Sequence, residues 1–287
     1  MDRNKLKGGG SEKSVSIIIP TYNAEETLER CLRSIHDQSY RAYNVIVVDN
    51  FSRDDTLKIA RRFGVSIIQR KGSPALARNI GITSSTSEYV FFLDSDQILS
   101  RAVVEECVTK CETEAVDMVR IPEVFVGKGL WGSCSAAWKN CYHKVERGNV
   151  SESFTGGEPR FFEREQIAQA GMLNDDLLWG EDYDLYKRMK KMNMKETSCS
   201  ARLYHCEPAS VRRILLKILR YGESMPAFRE QTEKHIFWAL LRNSVVTLKE
   251  IFKDYRRSPN VVVGCAVLLF LKSYSLAIGL VSGSLGY

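Results

Sequence analysis

Val90-Phe-Phe-Leu-Asp-Ser-Asp96 is an apolar run that stops abruptly on two carboxylates one residue apart. The apolar part reads as a strand, Tyr89 to Leu93, with the acids at its carboxyl end. Acids so placed repel each other unless a cation sits between or beside them, and an oxygen-seeking divalent metal that carries a phosphate ligand is the usual solution. Taken alone, the pair reads equally well as a helix N-cap and a surface acid. The residues upstream decide between the two. From Val15 onward, short β-branched runs alternate with helical periods, and strands are expected at Val15 to Ile19, Asn44 to Val48 and Val65 to Ile68. Leu28, Cys31, Leu32 and Ile35 recur at helical spacing behind Asn23 and Glu26, which read as a capping box. Further helices are expected over Asp55 to Phe63, closed by Gly64, and over Pro74 to Ile80. The fold class is therefore α/β, with a mostly parallel sheet flanked by helices. In such sheets ligands collect beyond the carboxyl ends of the strands, where Pro20 to Asn23, Asp49 to Ser52 and Asp94 to Asp96 all fall.

Residues 1–13 are polar and Gly-rich and lack the apolar core of a signal peptide, so disorder there and residence in the cytosol are expected. Eight cysteines without paired C-x-x-C spacing read as reduced thiols, and Cys107 and Cys111 as core residues of a helix rather than metal ligands. A net charge of +6 on 287 residues is too modest for a nucleic-acid binder.

Four segments then follow in order: Ser16-Ile-Ile-Ile-Pro-Thr-Tyr-Asn23, Val47-Val-Asp-Asn-Phe-Ser-Arg-Asp-Asp-Thr56, Ala77-Arg-Asn-Ile-Gly81 and Phe92-Leu-Asp-Ser-Asp96. Together they resemble the nucleotide-binding half of the family-2 glycosyltransferases, and Trp179-Gly-Glu-Asp-Tyr-Asp-Leu185 resembles that family's Glu-Asp motif. The resemblance covers about residues 14–207 and implies a GT-A fold, a nucleotide-sugar donor and one in-line displacement that inverts the anomeric carbon. It places the first loop, Pro20, Thr21 and Tyr22, against the nucleobase. Asp49 can accept from a uracil imide or a ribose hydroxyl, and Arg78 can neutralise a diphosphate or hold the acids of the site. The resemblance assigns Asp94 to the ribose and Asp96 to a Mg²⁺ or Mn²⁺ ion, with His205, expected at a strand end, as a further metal ligand. Asp182, at the start of a helix expected over Asp182 to Lys191, is implied as the catalytic base. Glu181 lies beside it, and Gly156 and Gly157 resemble the small-residue loop on the acceptor side. The Gln-x-x-Arg-Trp motif of processive members is absent, so one sugar per encounter is expected.

After Pro208 the composition changes, so residues 208–287 are read as a helical extension that associates with a membrane. Val211 to Tyr221 mixes four basic residues with large aliphatics, as suits either an in-plane helix at an anionic surface or an amphipathic helix packed on the domain. Val261 to Leu271 and Leu276 to Leu285 are apolar, and the intervening Lys272 favours a re-entrant or interfacial pair of helices over a span. Gly279 and Gly283 offer a surface for close helix packing. A UDP-sugar is the expected donor, ahead of a GDP-sugar. The expected acceptor is a polyprenyl phosphate or lipid-linked glycan at the cytoplasmic face of the membrane. A soluble or cell-surface polysaccharide acceptor, a silent nucleotide-binding subunit and a sugar nucleotidyltransferase are the other readings. The last lacks its Gly-rich loop after the first strand.

Overall fold

The computed structural model describes residues 12–148, 159–177, 180–231 and 235–284. Gly156, Gly157, Trp179 and the first 11 residues lie outside them. The chain opens with β1 (Val15–Thr21), α1 (Leu28–His36), β2 (Tyr43–Asp49), α2 (Thr56–Arg62), β3 (Ser66–Gln69), α3 (Pro74–Ser84) and β4 (Tyr89–Phe92). It continues through β5 (Gln97–Leu99), α4 (Val103–Glu114), β6 (Met118–Arg120), β7 (Glu123–Gly127), α5 (Gly129–Gly148), β8 (Phe161–Glu163) and α6 (Arg164–Gln169). The last elements are α7 (Glu181–Lys191), β9 (Glu196–Ser198), β10 (Leu203–Glu207), α8 (Val211–Gln231), α9 (His235–Tyr255) and α10 (Pro259–Ser284).

Seven strands form one sheet in the order β3-β2-β1-β4-β8-β6-β9. Strands β1 to β4 pair in parallel as expected, but β8 runs antiparallel to both its neighbours, so the sheet is mixed. The period of two sorts its side chains into two cores. Ile17, Ile19, Val47 and Phe91 meet α1 and α4 through Leu28, Cys31, Val104 and Cys107. Ile18, Val90, Phe92 and Phe162 meet α3, α6 and α7 through Ile82, Ile167, Leu185 and Met189. Full burial of each large side chain contributes about 1.5–3 kcal/mol. Gly81 is what lets α3 close on the sheet: a Cβ there would lie 2.3 Å from Ile18 Cγ2.

Three expectations are corrected. Asn23 and Glu26 form no capping box: α1 starts at Leu28, and Asn23, at φ 48°, accepts from the Arg53 N–H at 2.9 Å. His205 lies inside a strand rather than at its end, because a second sheet, β5-β10-β7, stands at the mouth of the first. The two apolar runs near the C-terminus form one continuous helix, α10, rather than a pair.

One face of α10 packs on α5 and α8, where Cys265 and Leu268 join Cys134, Ala137 and Ile214 in a third core. The opposite face exposes Val263, Val267, Phe270, Tyr274, Ile278 and Val281, a stripe at helical spacing. By length and composition α10 could cross a membrane. Its partner α8 is no free surface helix, since Arg213 reaches Glu26 of the first loop at 2.6 and 2.8 Å. Gly279 of α10 meets Gly222 of α8. A Cβ on Gly279 would lie 2.3 Å from the Leu219 carbonyl oxygen and 2.8 Å from the Gly222 Cα, both backbone atoms that cannot turn aside. Gly279→Ala is therefore expected to cost about 1–3 kcal/mol by overpacking. A thermal melt that leaves Tm unchanged would show that the two helices are not held this closely.

Candidate active site

Two arginines, buried Arg78 and half-buried Arg160, gather the acids of the site. Arg78 rises from the first turns of α3, which Ser73 caps through the Leu76 N–H and Pro74 begins. Its Nη2 lies 2.8 Å from Asp94 Oδ1, and its Nη1 lies 3.0 Å from Glu181 Oε1 and 3.3 Å from Asp182 Oδ1. Burial works against its charge, but Asp182, Asp94 and Glu181 outweigh it and hold the guanidinium firmly protonated. Arg160, just ahead of β8, reaches Asp94 Oδ2 at 3.2 Å and Glu123 Oε1 at 3.3 Å. Burial alone would raise the pKa of Asp94, yet Arg160, Arg78 and His205 pull it far below the carboxylate range. Glu181 goes the other way: burial and the charge of Asp182 push it up to about 7 against the pull of Arg78. One guanidinium thus joins the strand-end acid to the pair that opens α7.

The second acid of the pair faces elsewhere. A turn closed by Gln97 N–H to the Asp94 carbonyl at 3.0 Å swings Asp96 toward β10, where its Oδ2 lies 3.2 Å from His205 Nε2. Glu123 of β7 holds the other ring nitrogen, Nδ1, at 3.1 Å, and Phe125 stacks on the imidazole at 5.1 Å between centroids. Burial would lower the His205 pKa, but Asp96 and Glu123 raise it to about 9. Among the described residues no group of three or more His, Cys, Asp and Glu side chains forms a metal cage.

Of the residues read from the sequence, Arg78, Asp94, Glu181 and Asp182 meet in one contact, and Asp96 meets His205. Asp49 does end β2 but is fully buried. Its oxygens accept from Ser52 N–H at 2.9 Å, Ser52 Oγ at 2.5 Å and Thr21 Oγ1 at 3.1 Å, with Gln69 Nε2 at 3.3 Å. Asp49 thereby braces the end of β1, where Pro20 and Thr21 are strand rather than the expected loop, and Tyr22 just beyond them is exposed. Sequence reasoning missed Arg160, Glu123 and Gln97. Arg160 carries no motif, but Glu123 shares its strand face with buried Phe125, and an acid on an inward register is a legible anomaly. Gln97 bonds Asp94 N–H through Oε1 at 2.9 Å and Glu123 through Nε2 at 2.8 Å, tying the two halves together.

Burial would raise the Glu123 pKa, but Arg160 and His205 bring it from an ordinary 4.5 down to about 2. A depressed folded pKa contributes stability that is complete above the unfolded value and is lost as the pH falls toward the folded one. The wild-type Tm should therefore fall between about pH 4.5 and 2. Glu123→Gln, which takes from Arg160 and from His205 one of their two carboxylate partners, should cost about 3 kcal/mol at neutral pH and flatten that fall. Equal acid limbs in the two proteins would remove Glu123 from this role.

The family model described as Glycosyl transferase family 2 matches residues 16–167, from β1 through most of α6. The chain is 30% identical over 151 residues to poly(ribitol-phosphate) beta-N-acetylglucosaminyltransferase TarP of Staphylococcus aureus, which covers 49% of this chain and 43% of TarP. It is 37% identical over 188 residues to glycosyltransferase AglE of Haloferax volcanii, covering 61% of this chain and 60% of AglE. The chain thus spans about half the length of the relatives it matches. Among solved structures, S. aureus TarS in complex with UDP has a TM-score of 0.54 at 16% identity, covering 94% of this chain and 90% of that one. A Pyrobaculum calidifontis mannosyltransferase in complex with GDP-Man and Mn²⁺ has a TM-score of 0.60 at 18% identity, covering 96% and 87%. These likenesses show a GT-A-like fold. With more than half of its residues inside the matched family model, the chain belongs to glycosyl transferase family 2.

Proposed function

We propose that the protein is an inverting, non-processive glycosyltransferase that moves one sugar from a nucleotide sugar to a hydroxyl or phosphate of a lipid-linked acceptor. A UDP-sugar is the first choice of donor, since TarS was solved with UDP and with UDP-GlcNAc. The observation that carries this reading is the Arg78 contact, which sets Asp94 and Asp182 on one guanidinium. Asp182 is the most open of the three acids on Arg78, 40% exposed against 28% for Asp94 and 15% for Glu181. Arg78 fixes its direction while leaving lone pairs for an acceptor hydroxyl, as a general base requires. Glu181, more deeply buried and held by the same guanidinium at 3.0 Å, is less open to an acceptor.

Asp96 and His205 would hold a Mg²⁺ or Mn²⁺ ion once the ion displaces the proton on Nε2: Glu123 on Nδ1 turns Nε2 toward Asp96, as carboxylates behind metal-binding histidines do, and two protein donors leave room for water and phosphate oxygens. When bound, the ion would stabilise charge on the departing nucleoside diphosphate. Arg160 and Arg78 hold Asp94 rigid, so its free lone pairs can accept from a ribose hydroxyl.

Residues 14–207 then form the catalytic domain, and residues 208–287 seat it on the cytoplasmic face of a membrane. The exposed apolar stripe of α10, with exposed Arg256 and Arg257 just before it, supports a helix lying shallowly at an anionic surface. The likeness to TarP, named for a ribitol-phosphate polymer, supports a polysaccharide acceptor as the second reading.

The test is to incubate detergent-solubilised protein with Mg²⁺ or Mn²⁺, labelled UDP- and GDP-sugars and a lipid extract. Label from one donor should enter the organic phase, and Asp182→Asn should reduce the rate by about 10²–10⁴ while retaining UDP binding. Label confined to a water-soluble glycan would favour the polymer acceptor. An unaffected rate in Asp182→Asn would remove the assigned base.

A further inference from the structure

Three lysines from three helices converge on Glu207, at the end of β10. Lys139 of α5 lies 2.6 Å from Oε1, and Ser135, one turn earlier, donates to Oε2 at 2.7 Å, so both oxygens are engaged. Lys272 continues the buried face of α10 that runs through Cys265 and Leu268, at i+7 and i+4, and so points into the protein while Phe270 and Tyr274 face outward. Lys217 of α8 lies under Tyr221, its Nζ 6.0 Å from the ring centroid, and remains open to solvent. Lys217 and Lys272 both lie within Coulombic reach of Glu207, and Lys139 within reach of both.

One carboxylate cannot balance three ammonium groups. Tyr221, Asp96 and Glu207 lie around exposed Lys217, but Lys272 is short of a partner: burial and the charge of Lys139 bring it down to about 8. Such a group gains most from an incoming anion. The cluster also borders the site, since Lys139 Nζ lies 4.8 Å from the centroid of Phe125, the ring that stacks on His205.

We propose that Lys139, Lys217 and Lys272 form a phosphate-binding site, and that its occupant is the phosphate head group of a lipid acceptor. The inference rests on the transferase reading above. What favours a lipid-borne phosphate is its position: Lys272 and the apolar stripe occupy opposite faces of α10, so a head group at the lysines stands about one helix diameter, roughly 10 Å, from the surface its chain would enter. The close Gly222–Gly279 contact holds Lys217 and Lys272 on adjoining helices.

Binding of a short-chain prenyl monophosphate to the full chain in detergent micelles tests this, with the prenyl alcohol, inorganic phosphate and UDP measured alongside. Lys272→Met and Lys217→Met preserve side-chain length, and melts confirm that they fold. Lys139 is left intact because its loss would strand Glu207. Each variant should bind the prenyl phosphate about tenfold more weakly, the loss expected for one charge-assisted contact, with unchanged affinity for UDP. Equal binding of the phosphate by wild type and both variants, or binding of the alcohol as tight as the phosphate, would overturn the site. A parallel loss of UDP affinity would assign the lysines to the donor diphosphate instead, and inorganic phosphate binding as tightly as the prenyl ester would remove the lipid. Failure of the transferase reading would appear separately, as wild-type protein that does not bind UDP.

Discussion

Two guanidinium groups, one buried and one half-buried, set against a ring of carboxylates are the constraint on which the rest of the molecule depends. Asp94, Glu123 and the adjacent Glu181 and Asp182 come from three separate stretches of chain and would repel one another away from water. Arg78 and Arg160 make their approach possible, and the rigid five-donor fork of a guanidinium lets Arg78 serve three carboxylates at fixed angles. The fold is arranged to deliver that fork. Gly81 allows α3 to close on β1, Ser73 and Pro74 fix where α3 begins, and reversed β8 brings Arg160 to the strand end opposite. Lysine in place of either arginine would keep a charge and lose the geometry.

The same arrangement divides labour between neighbouring acids. Asp94 is drawn wholly into the arginine network, whereas Asp96, two residues later, is swung by the Gln97 turn into the small second sheet, where His205 and Glu123 receive it. Two carboxylates one residue apart thus serve two neighbourhoods, one toward Asp182 and one toward His205. Behind the second lies the lysine cluster, and behind that the outward face of α10. The polar site and the apolar stripe are joined through α5, α8 and α10.

Local patterns in the sequence carried most of the first half of the fold. The β-branched runs at Val15, Asn44 and Tyr89 and the period of α1 are properties of neighbouring residues, and they emerge as strands and helix close to their expected bounds. What failed depended on distant chain. Asn23 has the spacing of a cap but is claimed by Arg53 across the loop, and Glu26 by Arg213 from the other end of the molecule. The antiparallel β8 and the second sheet arise from pairings that no local period signals. Lys272 looked like an interruption because a charge in an apolar run is costly in lipid, yet within α10 it is turned toward Glu207 and α5, so the helix runs through it. In the site, the motif residues Arg78, Asp94 and Asp182 were legible, whereas Arg160, Gln97 and Glu123 act through tertiary contacts alone.

Calorimetric titration of UDP, with Mn²⁺ and with a chelator, into wild-type protein and Asp96→Asn tests most directly whether this acid-rich cleft is a nucleotide site. The Arg78–Arg160 framework with Asp96 and His205 at its edge predicts UDP affinity at least about tenfold higher with Mn²⁺ in the wild type, and no such gain in the variant. Equal affinity with and without metal, or an undiminished gain in Asp96→Asn, would contradict it.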